Sequence, residues 1–202
     1  MRVYRDANNQ PLHIVHVIKV VVRRPDRLRV DVNGDDGETQ LFYDGKTTSL
    51  YGPQAKKYAS AAAPDNIEAM LHAMGKRLHV DFPLADFVDN APAKSVLFGI
   101  TSGREVNTVT IDGTPCAHLV FDQPGIEFEI WIEKTDRALP RRLVATYHSV
   151  PDQPIFYAAF SDWNFDIHPA DAEFVFQPPP GAVAVTIKPE NAAPAQQKAT
   201  KP

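Results

Sequence analysis

The feature that most constrains this chain is a repeated alternation of apolar and polar side chains, in runs broken by Asp-Gly, Gly-Pro or Pro-Gly. Residues 126–133, IEFEIWIE, show it most clearly: Ile126, Phe128, Ile130 and Ile132 fall on one side of an extended backbone. Glu127, Glu129, Trp131 and Glu133 fall on the other. A period of two fits a half-buried strand and does not fit a helix, whose face recurs about every 3.6 residues. Successive runs of this kind separated by turn residues predict antiparallel strands joined as hairpins.

The runs cover most of the chain. Residues 12–24 (LHIVHVIKVVVRR) would extend roughly 43 Å at about 3.3 Å per residue, well beyond an ordinary strand, so they must coil with their sheet. Strands are predicted over 27–32, 39–43, 46–51 and 56–60, with Asp44-Gly45 as a two-residue type I′ turn. They resume at 104–111, 115–121 and 126–133, turning at Asp112-Gly113 and Pro124-Gly125, and continue at 140–150 and 155–163. Residues 173–176 and 182–187, either side of Pro178–Pro180, are expected as the last two.

One helical interlude interrupts them. Pro64 suits a first helical turn, Asp65 and Glu68 complement the positive end of the helix dipole, and Ile67, Met70, Leu71, Met74 and Leu78 recur at helix spacing. Gly75 weakens that helix without ending it. Shorter helical segments are expected at 83–90 and 92–100. About ten to twelve strands with two or three short helices, and no βαβ alternation, give a mainly β (α+β) class: a strongly curved antiparallel sheet or open half-barrel under a small helical lid. Residues 1–187 read as a single domain. Residues 188–202, rich in Ala, Pro, Gln and Lys without an aromatic, read as a disordered tail.

Composition excludes several functions. Hydrophobic residues make up 44% and charged residues 23%, with net charge −4, which fits a soluble globular chain and argues against general nucleic-acid binding. Residues 1–33 hold seven Lys/Arg against three Asp. Their simplest reading is the wet face of a strand; the other is a patch facing phosphate or anionic lipid. No stretch approaches the roughly 20 apolar residues of a membrane helix, and the first ten residues lack the apolar core of a secretory signal.

Chemistry-bearing constellations are sparse. Cys116 stands alone, so no disulfide or Cys-based metal site can form within the chain. Beside His118 on one predicted strand, it lacks the oriented third group that activates a nucleophile. The seven histidines contain no H-E-x-x-H pair, and His13 and His16 should face opposite ways on one strand. Asp81 and Asp86 are explained as helix caps. No G-x-S-x-G or phosphate loop occurs, and the Trp-Asp-like stretch 161–166 (SDWNFD) has no repeat that would make it a propeller blade. No cofactor, metal or catalytic residue is expected.

Taken in order, RRPDRLRVDVNGDDG (23–37), FYDGKTTSLYGPQAKKYA (42–59), DFPLADFVDN (81–90), IDGTPCAHLVFDQPGIEFEIWIE (111–133), LPRRLVATYHSVPDQPIFYAAFSDWNF (139–165) and FVFQPPPGAVAV (174–185) resemble a bacterial family of predicted periplasmic proteins. That family is related in fold to the outer-membrane lipoprotein carriers and receptors LolA and LolB. The resemblance spans roughly residues 20–187. It implies periplasmic localisation and a half-barrel whose apolar side, under short helices, lodges acyl chains or other greasy ligands. Members begin with a secretion signal and an N-terminal helix; this chain starts almost at its first strand. That departure implies a groove left exposed, or filled by a second copy as a homodimer.

The expected function is therefore non-enzymatic binding or carriage of a lipid, lipoprotein acyl chain or other apolar ligand in the cell envelope. The alternatives are a protein-interaction or envelope-stress sensor module, whose sheet docks an envelope protein and whose cavity is only core, and a hydrolase. On unbroken alternation the wall comprises Leu119, Phe121, Phe128, Ile130, Ile132, Leu143, Tyr147, Phe156 and Phe160, with Met70, Met74 and Phe87 from the lid. One β-bulge would turn such a row over.

Overall fold

In the computed structural model the residues described are 1–5, 8, 10–78, 82 and 84–186. The tail 188–202 and Asp81 lie outside them. In chain order the strands and helices are β1 (Arg2–Arg5), β2 (Pro11–Ile14), β3 (His16–Arg23), β4 (Arg27–Gly34), β5 (Gly37–Tyr43), β6 (Thr47–Gly52), β7 (Lys57–Ala62), α1 (Ile67–Leu78), α2 (Ala85–Val88) and α3 (Pro92–Val96). Then follow β8 (Ser102–Ile111), β9 (Thr114–Gln123), β10 (Ile126–Glu133), β11 (Pro140–Tyr147), β12 (Ile155–Ala159), a 3₁₀ turn over Asp171–Phe174, and β13 (Val183–Ala184). The mainly β, chiefly antiparallel class with curved sheets and three short helices is the one the alternation demands.

The strands form two sheets, each in its own compact unit. Residues 1–15 and 97–166 carry a seven-stranded sheet in the order β2-β1-β12-β11-β10-β9-β8. Residues 16–96, with the segment from 167 onward, carry a six-stranded sheet in the order β13-β7-β6-β5-β4-β3. Hairpin turns account for most neighbour pairs. Asp112 and Gly113 both take positive φ (48° and 79°), as a type I′ turn requires, and set Ile111 opposite Thr114.

In the six-stranded unit one face of the sheet is an apolar bed for α1. The register aligns Val22, Leu28 and Tyr43 in one row and Val20, Val30, Leu41 and Leu50 in the next. Ile67, Met70, Leu71 and Met74, spaced for one side of a helix, pack onto Leu28, Leu41 and Tyr43. Asn66 caps the helix, its side-chain oxygen accepting the Ala69 N–H at 2.8 Å. The Tyr43 hydroxyl donates to the Pro64 carbonyl. Burial, then the nearby charges of Asp26 and Asp65, push its phenol pKa up to about 12.

The opposite face of the same sheet is covered by the chain's own C-terminal segment. Phe176 lies against Phe42, Tyr51 and Tyr58 with ring centroids 5.3, 5.5 and 5.1 Å apart. Phe174 is fully buried, and the Arg23 guanidinium sits 5.3 Å above its ring. Arg23 also donates to the Pro169 carbonyl at 2.9 Å and pairs with Asp171, holding the Asp171 carboxyl below the usual range.

The basic run at 23–29 is thereby accounted for. Arg24 donates to the Phe87 and Asp89 carbonyls at the end of α2. The Pro25 carbonyl accepts the first N–H of α1 at 3.1 Å. Arg27 pairs with Asp26, and Arg29 pairs with Asp31 while lying 5.0 Å over Phe42. These arginines tie helices and the C-terminal segment to one β3–β4 turn, a role neither sequence reading of them foresaw.

Several local expectations are corrected. The run 12–24 is not one strand: it breaks at Val15, and its halves enter different sheets, which removes the need for a single coiled strand of that length. His13 and His16 therefore sit on different strands rather than on opposite faces of one. The first helix begins at Ile67, because Asn66 takes the cap and Pro64 stays outside it. At Asp44-Gly45 only Gly45 has positive φ (87°); the loop runs over residues 44–46, and the Asp44 side chain accepts the Lys46 and Thr47 N–H groups. Residues 173–176 form no strand, since Phe174 and Phe176 are held by their side chains rather than by a ladder. Of the expected strand 182–187, Val183–Ala184 pair in parallel with β7, the Val185 N–H donates to the Tyr58 carbonyl at 2.8 Å, and Ile187 lies outside the described residues. The strand expected to run to Trp163 ends at Ala159.

Candidate functional site

Across β9 to β12 the seven-stranded sheet has one face built mainly of apolar side chains, and the flanking strands β1 and β8 bring Arg2 and Glu105 into the same rows. Residues directly opposite each other in neighbouring strands share a face. Phe121 on β9 stands opposite Phe128 on β10, which stands opposite Ala145 on β11 and, through it, Phe156 on β12. The next row is Leu119, Ile130, Leu143 and Ala158. Tyr147 shares this face, paired with Ile126. Phe128, Ile130, Leu143, Ala145 and Phe156 are buried; Leu119, Phe121, Ile132 and Tyr147 around them are half-buried.

Two bulges decide how far the rows extend. On β8 the register shifts between Glu105 and Asn107. Gly103 and Glu105 thus face with Phe121 and Leu119, while Asn107, Val109 and Ile111 face with His118 and Cys116 on the reverse. Between β10 and β11 the register shifts at Trp131/Ile132, so Ile132 stands opposite Pro140 while keeping Ala117 as its neighbour on β9. Phe160 lies just beyond the end of β12, its N–H donating to the Arg141 carbonyl at 2.9 Å, and its ring stacks 5.9 Å from Trp163.

Sequence reasoning passed over several residues of this face, Ala145 and Gly103 among them. Ala145 occupies the centre of the aromatic row, and its alternation with Leu143 and Tyr147 was the available signal. Gly103 lies beneath Phe121: a Cβ there would come within 2.5 Å of the ring. The glycine lets the Phe121 ring fold across the strand, 5.2 Å from the ring of Phe128.

The reverse face mixes apolar side chains such as Val120 and Val144 with polar groups that are paired. His118 stacks on Trp131 at 4.1 Å, with its Nε2 2.6 Å from the Glu129 carboxylate. Arg141 holds the buried Glu133 at 2.5 Å, and the Thr135 hydroxyl donates to the same carboxylate. Cys116 is fully buried, and burial followed by the Glu133 charge pushes its thiol pKa up, opposing the thiolate a nucleophile would need.

The wall candidates all belong to the first unit and the lid candidates to the second. Met70 and Met74 are buried at the heart of the second unit's core. Phe87 is half-buried in α2.

No curated protein matches the chain. Among solved structures it is similar to the lipoprotein LppX of Mycobacterium tuberculosis, at 12% identity and a TM-score of 0.38, over 78% of this chain and 89% of that one. It is also similar to a putative outer membrane lipoprotein-sorting protein domain from Vibrio parahaemolyticus, at 9% identity and a TM-score of 0.31, over 78% of this chain and 72% of that one. Likenesses of this degree say nothing of what the chain binds. The family described as predicted periplasmic protein (DUF2092) matches residues 5–188, almost the whole of the chain. The chain belongs to that family of predicted periplasmic proteins, and the periplasm is its compartment.

Proposed function

We propose that this periplasmic protein is a non-enzymatic binder of an apolar ligand, an acyl chain of a lipid or lipoprotein, held on the apolar face of the seven-stranded sheet. The observation that carries the proposal is the pair of cross-strand rows Phe121-Phe128-Ala145-Phe156 and Leu119-Ile130-Leu143, which crosses four strands without a polar side chain. Binding there is driven by hydrophobic transfer at about 0.8 kcal/mol per methylene. A chain of about 15 methylenes thus gains on the order of 12 kcal/mol gross, from which the entropy of association and ordering is subtracted. The half-buried margin, Leu119, Phe121, Ile132 and Tyr147, is where the ligand gains contact first.

The test is a fluorescence titration with a labelled long-chain fatty acid. Phe121→Ala and Leu119→Ala are expected to weaken binding roughly tenfold each, about 1.4 kcal/mol, while Val120→Ala and Val144→Ala on the reverse face leave it unchanged. Equal losses from both faces, or no saturable binding by the unaltered protein, would end the proposal.

A second reading, an interaction module that docks an envelope protein, is favoured by one stretch. Residues 161–168 are all exposed, and Trp163, Phe165 and Ile167 alternate along them at 37%, 56% and 44% exposure. Their substitution by Ala would leave probe binding intact under the first reading and remove partner capture under the second.

A further inference from the structure

Followed strand by strand from β8 to β2, the aromatic row of the seven-stranded sheet reads Gly103-Phe121-Phe128-Ala145-Phe156-Arg2-Ile14. Every position in it carries a side chain except Gly103. That residue lies on β8, a terminal strand of the sheet, whose residues 102–108 are all exposed. The place a side chain would fill there is taken by the half-buried Phe121: a Cβ on residue 103 would stand 2.5 and 2.6 Å from two carbons of its ring. The row is thus closed at its β8 end by a ring leaning across from β9, and not by a side chain of the edge strand itself.

The neighbours leave that place open. The next residue of β8 on this face is Glu105, about 6.7 Å along the strand. Lys134 donates to Glu105 at 3.3 Å and to Thr108 at 2.8 Å, which draws the carboxylate along the strand and away from Gly103. Lifting the Phe121 ring would therefore leave a slot in the sheet margin beside the buried Phe128.

We propose that Phe121 is the gate of the acyl site: its ring swings off Gly103 to open a slot at the β8 edge, an unbranched acyl chain passes through to Phe128 and Ala145, and the ring closes over it. The gate presupposes the acyl-binding reading above and adds the shape of the ligand, a single flexible chain and not a fused-ring skeleton, because the slot is one residue wide. The other two rings of the row cannot serve. Phe128 and Phe156 are buried, so turning either one means repacking its neighbours. Phe121 has the Phe128 ring at 5.2 Å on one side and a glycine on the other, so rotation about its χ1 displaces no side chain at position 103. A glycine weakens a strand interior and occurs where another group must approach the backbone closely; here that group is the ring.

Stopped-flow fluorescence on the full chain, with a labelled long-chain fatty acid as the probe, is expected to give an association rate that levels off as probe concentration rises, because opening precedes entry. Phe121→Leu keeps apolar contact and shortens the gate. It should raise the association and dissociation rates together, roughly tenfold, and move Kd by less than about threefold, whereas loss of a mere contact raises dissociation alone. Gly103→Val, which fills the slot, should slow both rates. Without any change to the packing, 4-fluorophenylalanine placed at 121 alone should show two exchanging fluorine NMR signals; the para position is unmoved by ring flips, so exchange there reports rotation of the whole side chain. A fluorescent sterol should bind the unaltered protein at least about tenfold more weakly than the fatty acid, a difference of about 1.4 kcal/mol. Rates indifferent to Phe121→Leu, a single unexchanging fluorine signal, or a sterol bound as tightly as the fatty acid would overturn the gate and leave the acyl reading standing. Failure of the unaltered protein to bind the fatty acid would end both.

Discussion

Phe174→Ala tests the packing of the C-terminal segment on the six-stranded sheet most sharply. The side chain has no exposed surface, and its ring lies 5.3 Å beneath the Arg23 guanidinium. Removing the ring forfeits a transfer term of about 2–3 kcal/mol, and the cavity left behind raises the usual cost in a packed core to about 3–5 kcal/mol. Because the segment joins the sheet through only a two-residue strand and a few side chains, it can partly collapse, which favours the lower bound, about 3 kcal/mol. At about 2–4 °C per kcal/mol for a chain of this size, Tm falls by about 6–12 °C. Phe174→Leu keeps most of the volume and should cost about 1 kcal/mol. Val175→Ala, at a site 39% exposed, should stay within about 0.5 kcal/mol. Thermal and urea denaturation of the full chain, followed by circular dichroism, measures all three. A loss below about 1 kcal/mol for Phe174→Ala, or a loss for Val175→Ala as large, would mean that the segment does not clamp the sheet.

Three further outcomes are expected. Gly103→Ala should destabilise by about 1–3 kcal/mol and change the aromatic circular dichroism, because its Cβ meets the Phe121 ring; a gain in stability, the usual result of losing a strand glycine, would place the ring elsewhere. Asn66→Ala should cost about 1 kcal/mol while Asn66→Asp retains the cap, and equal losses in urea unfolding would remove the cap from the account. For Tyr43 the folded pKa, about 12, lies above the ordinary value near 10. Its contribution is fully present below pH 10 and lost as pH rises toward 12. Ultraviolet titration should show a late ionisation step that Tyr43→Phe removes, and persistence of that step in the variant would contradict the assignment.

What could be read from the sequence was whatever period and turn chemistry determine locally. The alternation in 126–133 fixed both the strand and its apolar side, and the register then placed Phe128 and Ile130 where that alternation required. Asp112-Gly113 formed the expected turn because both residues tolerate positive φ. Boundaries set by competing local contacts were less legible: Asn66 outcompeted Pro64 for the helix start, and the Asp44 side chain reshaped a turn read from its dipeptide alone. Least legible were features that depend on distant partners. Nothing near Arg23 or Arg24 announces Asp171, Pro169, Phe87 or Asp89, 63 to 148 residues away, so arginines that anchor the second unit read as a wet face or a phosphate patch. The division of residues 12–24 between two sheets is of the same kind: the apolar run passes Val15 without a turn residue, and the one local sign is the change of phase at Ile14-Val15. For the candidate site, alternation supplied the large side chains and missed Ala145 and Gly103, whose contribution is the space they leave.

The central claim is that the apolar face of the seven-stranded sheet holds an acyl chain in the periplasm. Its most direct measurement is organic extraction and mass spectrometry of the protein purified from the periplasm of a producing cell, beside the Phe121→Ala variant prepared identically. Acyl-bearing molecules recovered near one per protein, and several-fold fewer from the variant, are the predicted result. Protein that is folded and free of acyl chains, or equal recovery from both preparations, would contradict it.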